Sequence, residues 1–169
     1  MKRSDEQAPE GLRSKHERLG VVDALAQLSF LVQAALGQIA AAHDLSIIQA
    51  RLLGVLRDRS PGMNELARYL ELDKSSVTGL VDRAERRGLV RRKVSSTDRR
   101  AIEVSITAAG RKLAARAEAA FEERIESLVG ILSSTERASL SDLASRIVVA
   151  EARSRGVELA DAARKQEEA

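Results

Sequence analysis

The sequence predicts a mostly α fold in which long helices at both ends flank a small lobe of short helices and one two-stranded hairpin. Three observations carry that expectation. Alanine and arginine are abundant and prolines number only two, a composition that favours helix. Apolar residues recur three and four apart in both halves of the chain, the spacing of one helical face. Past Gly88 the period falls to two, and it returns to helical spacing after Thr107, so a pair of strands interrupts the helices.

In chain order, residues 1–18 are polar, contain Pro9 and Gly11 and lack periodicity, which reads as a flexible arm. Residues 19–45 hold the first long helix, with Leu25, Leu28, Val32, Leu36 and Ile39 on one stripe. A second helix is expected at 46–57, with Ser46 as N-cap and Ile48, Leu52, Val55 and Leu56 turned inward; Ser60, Pro61 and Gly62 end it. Residues 63–70 make a short helix carrying Leu66, Ala67 and Leu70, with Asn64 as candidate cap. Glu71 and Leu72 then lead to Asp73, whose carboxylate can accept from the backbone N–H of Ser75 or Ser76 and open a helix at 74–87. On that helix Val77, Leu80, Val81 and Ala84 take the buried stripe, leaving Lys74, Ser75, Ser76, Thr78, Gly79, Asp82, Arg83 and Arg86 outward. Two helices joined by about three residues, the second well capped, are a helix-turn-helix.

Gly88 sits where a left-handed C-cap is wanted, and Leu89 can make the apolar contact that accompanies one. Strands are expected at 89–94 and 101–106, the second with Ile102, Val104 and Ile106 on one face, joined by a loop at 95–100. A hairpin this small is unstable alone and must lie on the helices as a wing. Thr107 caps a long helix reaching about residue 130 whose stripe is Leu113, Ala117, Phe121, Ile125 and Leu128. Ser133 to Glu136 open a last helix with Leu140, Leu143, Ile147 and Val148. The expected organisation is therefore an arm (1–18), a first end helix (19–45), a winged helix-turn-helix lobe (46–107), C-terminal helices (108–152) and a charged, alanine-rich tail (153–169).

Composition excludes several classes of chemistry. Without cysteine there is no disulfide framework, thiolate metal site or thiol switch. His16 and His43 lie far apart with no ligand cluster around them, so no metal is expected, and no cofactor. His43 reads as a helix C-terminal histidine favoured by the dipole. No glycine-rich phosphate loop, nucleophile elbow or paired-carboxylate constellation is present, which argues against an enzyme. No apolar stretch of the ~18 residues a membrane span needs is evident, and the first residues lack the apolar run of a leader, so a cytoplasmic protein with no membrane partner is expected. Aromatic residues make up 2% of the chain, too few for a platform that stacks single-stranded bases, which leaves duplex DNA as the better partner.

The charge is concentrated in one place. The chain has 28 Lys+Arg against 25 Asp+Glu, a net of +3. Residues 83–100 alone hold Arg83, Arg86, Arg87, Arg91, Arg92, Lys93, Arg99 and Arg100 against Glu85 and Asp98, so the remainder of the chain is net negative. A cluster of this kind neutralises phosphates and releases their counterions.

Three segments, NELARYLELDKSSVTGLVDRAERRGLV, DRRAIEVSIT and ITAAGRKL, occur in an order and at a spacing that resembles the MarR family of bacterial transcription regulators, from about Leu19 to Ala150. The resemblance implies a homodimer, with the first and last helices interlocked and two winged lobes presented to a double-stranded, pseudo-palindromic DNA operator. It also implies repression that is released when a small, often aromatic or anionic, effector binds between lobe and dimer region. Independently, the stripes of the end helices hold more apolar surface than one small lobe can bury, which places Leu25, Leu28, Val32 and Ile147 as candidate dimer contacts.

The helix at 74–87 is then the recognition helix. Lys74, Ser75, Ser76, Thr78, Arg83 and Arg86 are its candidate DNA contacts, hydroxyls to bases or phosphates and Arg83 bidentate to a guanine, with the helix dipole favouring a phosphate at the first turn. Gly79 departs from the larger polar residue the family often has there, so the helix can sit closer to DNA. In the wing, Asp98 and Arg100 fit the family's Asp-x-Arg pattern, with Arg100 suited to the minor groove, Asp98 orienting it and Arg99 on phosphate. Arg91, Arg92 and Lys93 are expected to contact the DNA backbone or face solvent, Arg91 and Lys93 from the same strand face. The alternative reading is a winged-helix interaction module whose basic face meets an acidic protein partner.

Overall fold

The computed structural model of the chain describes residues 19–94 and 102–156. Helices α1 (Val21–Ala42), α2 (Ile47–Arg57), α3 (Met63–Leu70) and α4 (Lys74–Arg86) precede strands β1 (Val90–Val94) and β2 (Ile102–Ile106), and helices α5 (Ala108–Leu128) and α6 (Ser134–Ser154) follow, with a short 3-10 turn at Val129–Ile131. The expected mostly α architecture with one hairpin is what the chain adopts.

Most helix starts are set by a single local side chain. Ser46 accepts from Gln49 N–H while the Gln49 side chain accepts from Ser46 N–H, a reciprocal pair that satisfies two of the orphan donors at the start of α2. Ser133 and Glu136 do the same for α6. Asp73 Oδ1 accepts from Ser76 N–H at 2.9 Å and opens α4. At α3 the expected Asn64 cap is replaced. The helix begins directly after Gly62, whose N–H donates to Glu65 Oε2 at 2.9 Å, because a glutamate three residues into the helix reaches back where Asn64, already inside the first turn, cannot.

Two glycines are dictated by geometry. Gly88 has φ +67° just past the end of α4 and carries the closing turn, its N–H donating to Glu85 O at 2.8 Å and that of Leu89 to Ala84 O at 3.0 Å. Gly110 in the first turn of α5 crosses β1 so closely that a Cβ there would stand 2.0 Å from Leu89 O. Thr107 completes this junction. Its hydroxyl donates to Gly88 O at 2.6 Å and accepts from Gly110 N–H at 3.0 Å, so one side chain joins the end of α4, the root of the wing and the start of α5.

The core lies in the lobe. Leu52, Leu53 and Leu56 of α2, Leu66 and Leu70 of α3, Val77, Leu80, Val81 and Ala84 of α4, and Val90, Val104 and Ile106 of the hairpin form one buried cluster. Leu53 joins it although the expected stripe of α2 omitted it, and Ile48 and Val55 are only half-buried against its edge. The antiparallel pair β1–β2, with Arg92 opposite Val104 and Val94 opposite Ile102, is tied to the lobe by Val104 N–H donating to Pro61 O at 3.0 Å. Ile102, expected on one face with Val104 and Ile106, is exposed where those two are buried.

α1 and α2 both pack along α5, and among the described residues α6 has no extended packing against another element. Two consequences follow for α1. Its N-terminal half is open, with Val21, Val22, Leu25 and Leu28 all exposed. Contrary to the expectation from sequence, it is also long and apolar enough to cross a membrane by length and composition, with a mean hydropathy of 1.4 and Asp23 as its one acidic residue. Alanines such as Ala34, Ala35, Ala40 and Ala41 raise the average without adding to the bulky stripe by which the sequence is read, and only 11% of that stretch is buried within one chain.

Candidate nucleic-acid interface

The exposed face of α4 and the strand β1 beside it bring together nine of the twelve sequence-derived DNA contacts: Lys74, Ser75, Ser76, Thr78, Arg83, Arg86, Arg91, Arg92 and Lys93. Asp98, Arg99 and Arg100 lie outside the described residues. The structure sorts the nine by what their polar atoms already do.

The hydroxyls at the start of α4 are engaged. Ser75 Oγ and Ser76 Oγ donate to the two oxygens of Asp73 at 2.5 and 2.6 Å, and Thr78 Oγ1 donates back to Lys74 O at 2.8 Å. All three therefore present lone pairs outward, not protons, which fits them to accept from a cytosine or adenine amino group and not to donate to phosphate. Asp73 itself is held well below the usual carboxylate range, first by the Ser75 hydroxyl, then by the Ser76 hydroxyl and backbone N–H. Its charge occupies the positive end of the α4 dipole, so the phosphate expected at this turn meets a carboxylate already in place.

Arg92 is also committed. It lies on the inward face of β1, half-buried, with Nη2 on Asp82 Oδ1 at 2.6 Å and Nη1 on Glu85 Oε2 at 2.5 Å, while its backbone N–H donates to Glu85 Oε1 at 2.9 Å. That fork bolts the second half of the recognition helix to the first wing strand. The Arg92 guanidinium is raised: desolvation opposes this and the two carboxylates outweigh it. Glu85 is lowered, chiefly by the Arg92 backbone N–H. Asp82, expected outward, is drawn into the same group.

On the opposite face of β1, Arg91 Nε donates to Ser105 Oγ at 3.3 Å and Lys93 Nζ stands 3.5 Å from Glu103, so these two are exposed but cross-strand paired. Arg87, outside the candidate contacts, donates to Asp44 O at 2.6 Å and ties the end of α4 to the α1–α2 connection. Among the described residues Arg83 and Arg86 are exposed with no hydrogen bond or ion pair. Sequence reading missed the roles of Arg87 and Arg92; alternation along β1, which puts Arg92 on the same face as buried Val90, is the signal that could have found the second.

A second polar group lies at the far end of α2, where Arg57 pairs with Asp58 at 2.8 Å and with Glu118 of α5, and the Arg59 guanidinium stacks 4.7 Å above the Tyr69 ring. These contacts fasten α2 to α5 and α3. No group of three metal-ligating side chains occurs among the described residues.

The comparisons agree with this architecture. Residues 43–101 match the model of the MarR family. The HTH-type transcriptional regulator PecS of Dickeya dadantii is 26% identical over 135 residues, covering 78% of this chain and 81% of that protein. Among solved structures, wild-type MarR of E. coli in its apo form superposes with a TM-score of 0.66 at 20% identity, covering 78% of this chain and 98% of that one. MepR of S. aureus, in a structure of its complex with DNA, gives 0.64 at 22% identity over 79% and 99%. The capped helix α4, the first wing strand and that family match lie on the same segment, so residues 43–101 carry the winged helix-turn-helix described by the MarR family model.

Proposed function

We propose that two copies of this chain bind a pseudo-palindromic duplex operator as a repressor, and that a small molecule releases them. The observation that carries the DNA half is the outward face of α4, which holds the guanidinium groups of Arg83 and Arg86, without a partner among the described residues, and a row of acceptor hydroxyls, with no bulky apolar side chain among them. An interaction module for an acidic protein would need apolar anchors on that face, and α4 offers none. The wing tip, with Arg100 aimed at the minor groove and Arg99 on phosphate, is kept as part of this reading on sequence grounds, and Arg91 and Lys93 flank the DNA backbone.

The dimer half rests on uncovered apolar surface. Leu25 is 52% exposed, Leu28 40% and Ile147 60%, with Val32 of the same helix as the two leucines half-buried. Large contiguous patches of this kind mark an interface. A second copy covers α1 better than a bilayer does, because Gln27, Gln33 and Gln38 are spread along the helix and α1 already packs on α5. A cytoplasmic location follows from a DNA partner. The effector is placed between lobe and end helices by resemblance alone.

The test is a fluorescence-anisotropy titration of the DNA upstream of the protein's own gene against random competitor, at several salt concentrations. Selective binding that weakens steeply with salt is expected, and Arg100→Ala should reduce it by tenfold or more while sedimentation still shows paired chains. Equal affinity for the random duplex would refute the reading.

A further inference from the structure

Gly79 lies on the outward side of α4 one turn after Ser75 and one turn before Arg83. A Cβ built on it would stand 3.3 Å from Arg83 Nη1, closer than side-chain carbons normally approach. The Arg83 guanidinium therefore lies back across the bare backbone at 79, toward the N-terminal half of the helix. Around it is an open groove of ≈560 Å³, its floor formed by Ile48, Leu72 and Leu80 and its rim by Ser75, Ser76 and Arg83.

The other polar groups on this half of α4 have fixed partners. Ser75 and Ser76 donate to Asp73 and Thr78 to Lys74 O, whereas Arg83 has no partner among the described residues. Arg83 is thus the directional donor of this groove, and what sets its position is the missing side chain four residues earlier.

We propose that Gly79 and Arg83 form one specificity element: the glycine makes the notch in which the Arg83 guanidinium lies, and from there Arg83 reads a guanine edge in each half-site. This rests on the DNA-binding reading given above. A side chain at 79 crowds the guanidinium and obliges it to shift from this seat, so substitution there changes base preference at Arg83's position without touching a base itself. The fold tolerates the change, because Gly79 has ordinary helical geometry, only the far end of a flexible arginine has to move, and alanine favours helix more than glycine does.

The experiment is selection from a random duplex library, read by sequencing, with the full chain, Gly79→Ala, Arg83→Ala and the double variant, thermal melting confirming that each folds. The parent chain is expected to enrich a guanine at one symmetric position. Arg83→Ala should lose about tenfold or more of the discrimination there, Gly79→Ala should weaken the same position, and the double variant should lose no more than Arg83→Ala alone. A parent chain that enriches no sequence would sink the DNA reading itself. If the parent enriches a consensus and Gly79→Ala reproduces it at full discrimination, or if the two losses simply add, the notch is refuted while the DNA reading stands.

Discussion

The winged lobe and the end helices handle apolar surface in opposite ways. In the lobe, leucines and valines from α2, α3, α4 and the hairpin close on one another until Leu52, Leu66, Val77, Val81 and Val104 have no accessible surface. On α1 and α6, residues of the same type stay open, with Leu143 54% and Val148 52% exposed. The lobe is complete within one chain. The end helices leave theirs uncovered within one chain, and α5, along which both α1 and α2 pack, joins the two regions.

The largest expected effect comes from opening the closed region. Leu66 is fully buried in the cluster, so Leu66→Ala removes its contacts and leaves a cavity, at a cost of about 2–5 kcal/mol. Denaturant unfolding followed by circular dichroism should report that loss. A change under 1 kcal/mol would mean that the lobe is looser than its burial implies.

The converse experiment acts on the open region. Ile147→Asp puts a charge on a residue that solvent already reaches in a single chain, so folding of the lobe should not change. If that surface is covered in the assembled protein, the pair of chains should dissociate on the order of a hundredfold more readily, about 2–3 kcal/mol. Analytical ultracentrifugation across a dilution series distinguishes this from no effect, and no effect would move the interface away from α6.

The same contrast explains what could be read from the sequence. Ser46, Asp73, Thr107 and Ser133 act over three residues and were legible because a cap is a local event with a fixed spacing. Gly88 was legible for the same reason. The destination of Arg92 was not, because a run of three basic residues in a strand looks uniformly solvated until Asp82 and Glu85, seven and more residues away, are seen on the same side. Nor was the commitment of the Ser75 and Ser76 hydroxyls to Asp73, since the residue types that cap a helix are also those that contact bases. The open face of α1 was half visible: its leucine stripe signalled surface that one lobe does not bury, while its alanines hid how apolar the whole helix is.

Acid should reach the lobe through its brace. The folded-state carboxyl of Glu85 titrates below its ordinary value, so the unfolded chain takes up a proton there first as pH falls. Its contribution is fully present above the ordinary carboxylate range near pH ~4.3 and is lost as pH drops through the lowered value. Melting temperature followed from pH 7 to pH 3 should therefore decline, and Glu85→Gln should flatten part of that decline. An identical slope in the variant would remove Glu85 from the account. Glu85 is well exposed, so the effect is expected to be modest.

The smallest effect concerns the charge at the start of α4. Asp73 caps the helix and, by the same geometry, places a carboxylate on the end that faces the DNA backbone in the proposed complex. Asparagine caps about as well as aspartate, accepting from the same backbone N–H, but carries no charge. Asp73→Asn should then leave the melting temperature near that of the parent and raise DNA affinity a few-fold at low salt, equally for all sequences, the gain shrinking as salt screens the repulsion. Uniformity is the discriminating feature, because a carboxylate near phosphate repels every duplex alike, whereas a residue that orients Ser75 and Ser76 toward bases would change preference at particular positions. If Asp73→Asn alters the selected sequence and not the overall affinity, the Asp73–Ser75–Ser76 group belongs to base reading, and the line between the closed scaffold of the lobe and its reading face has to be drawn one turn earlier in α4.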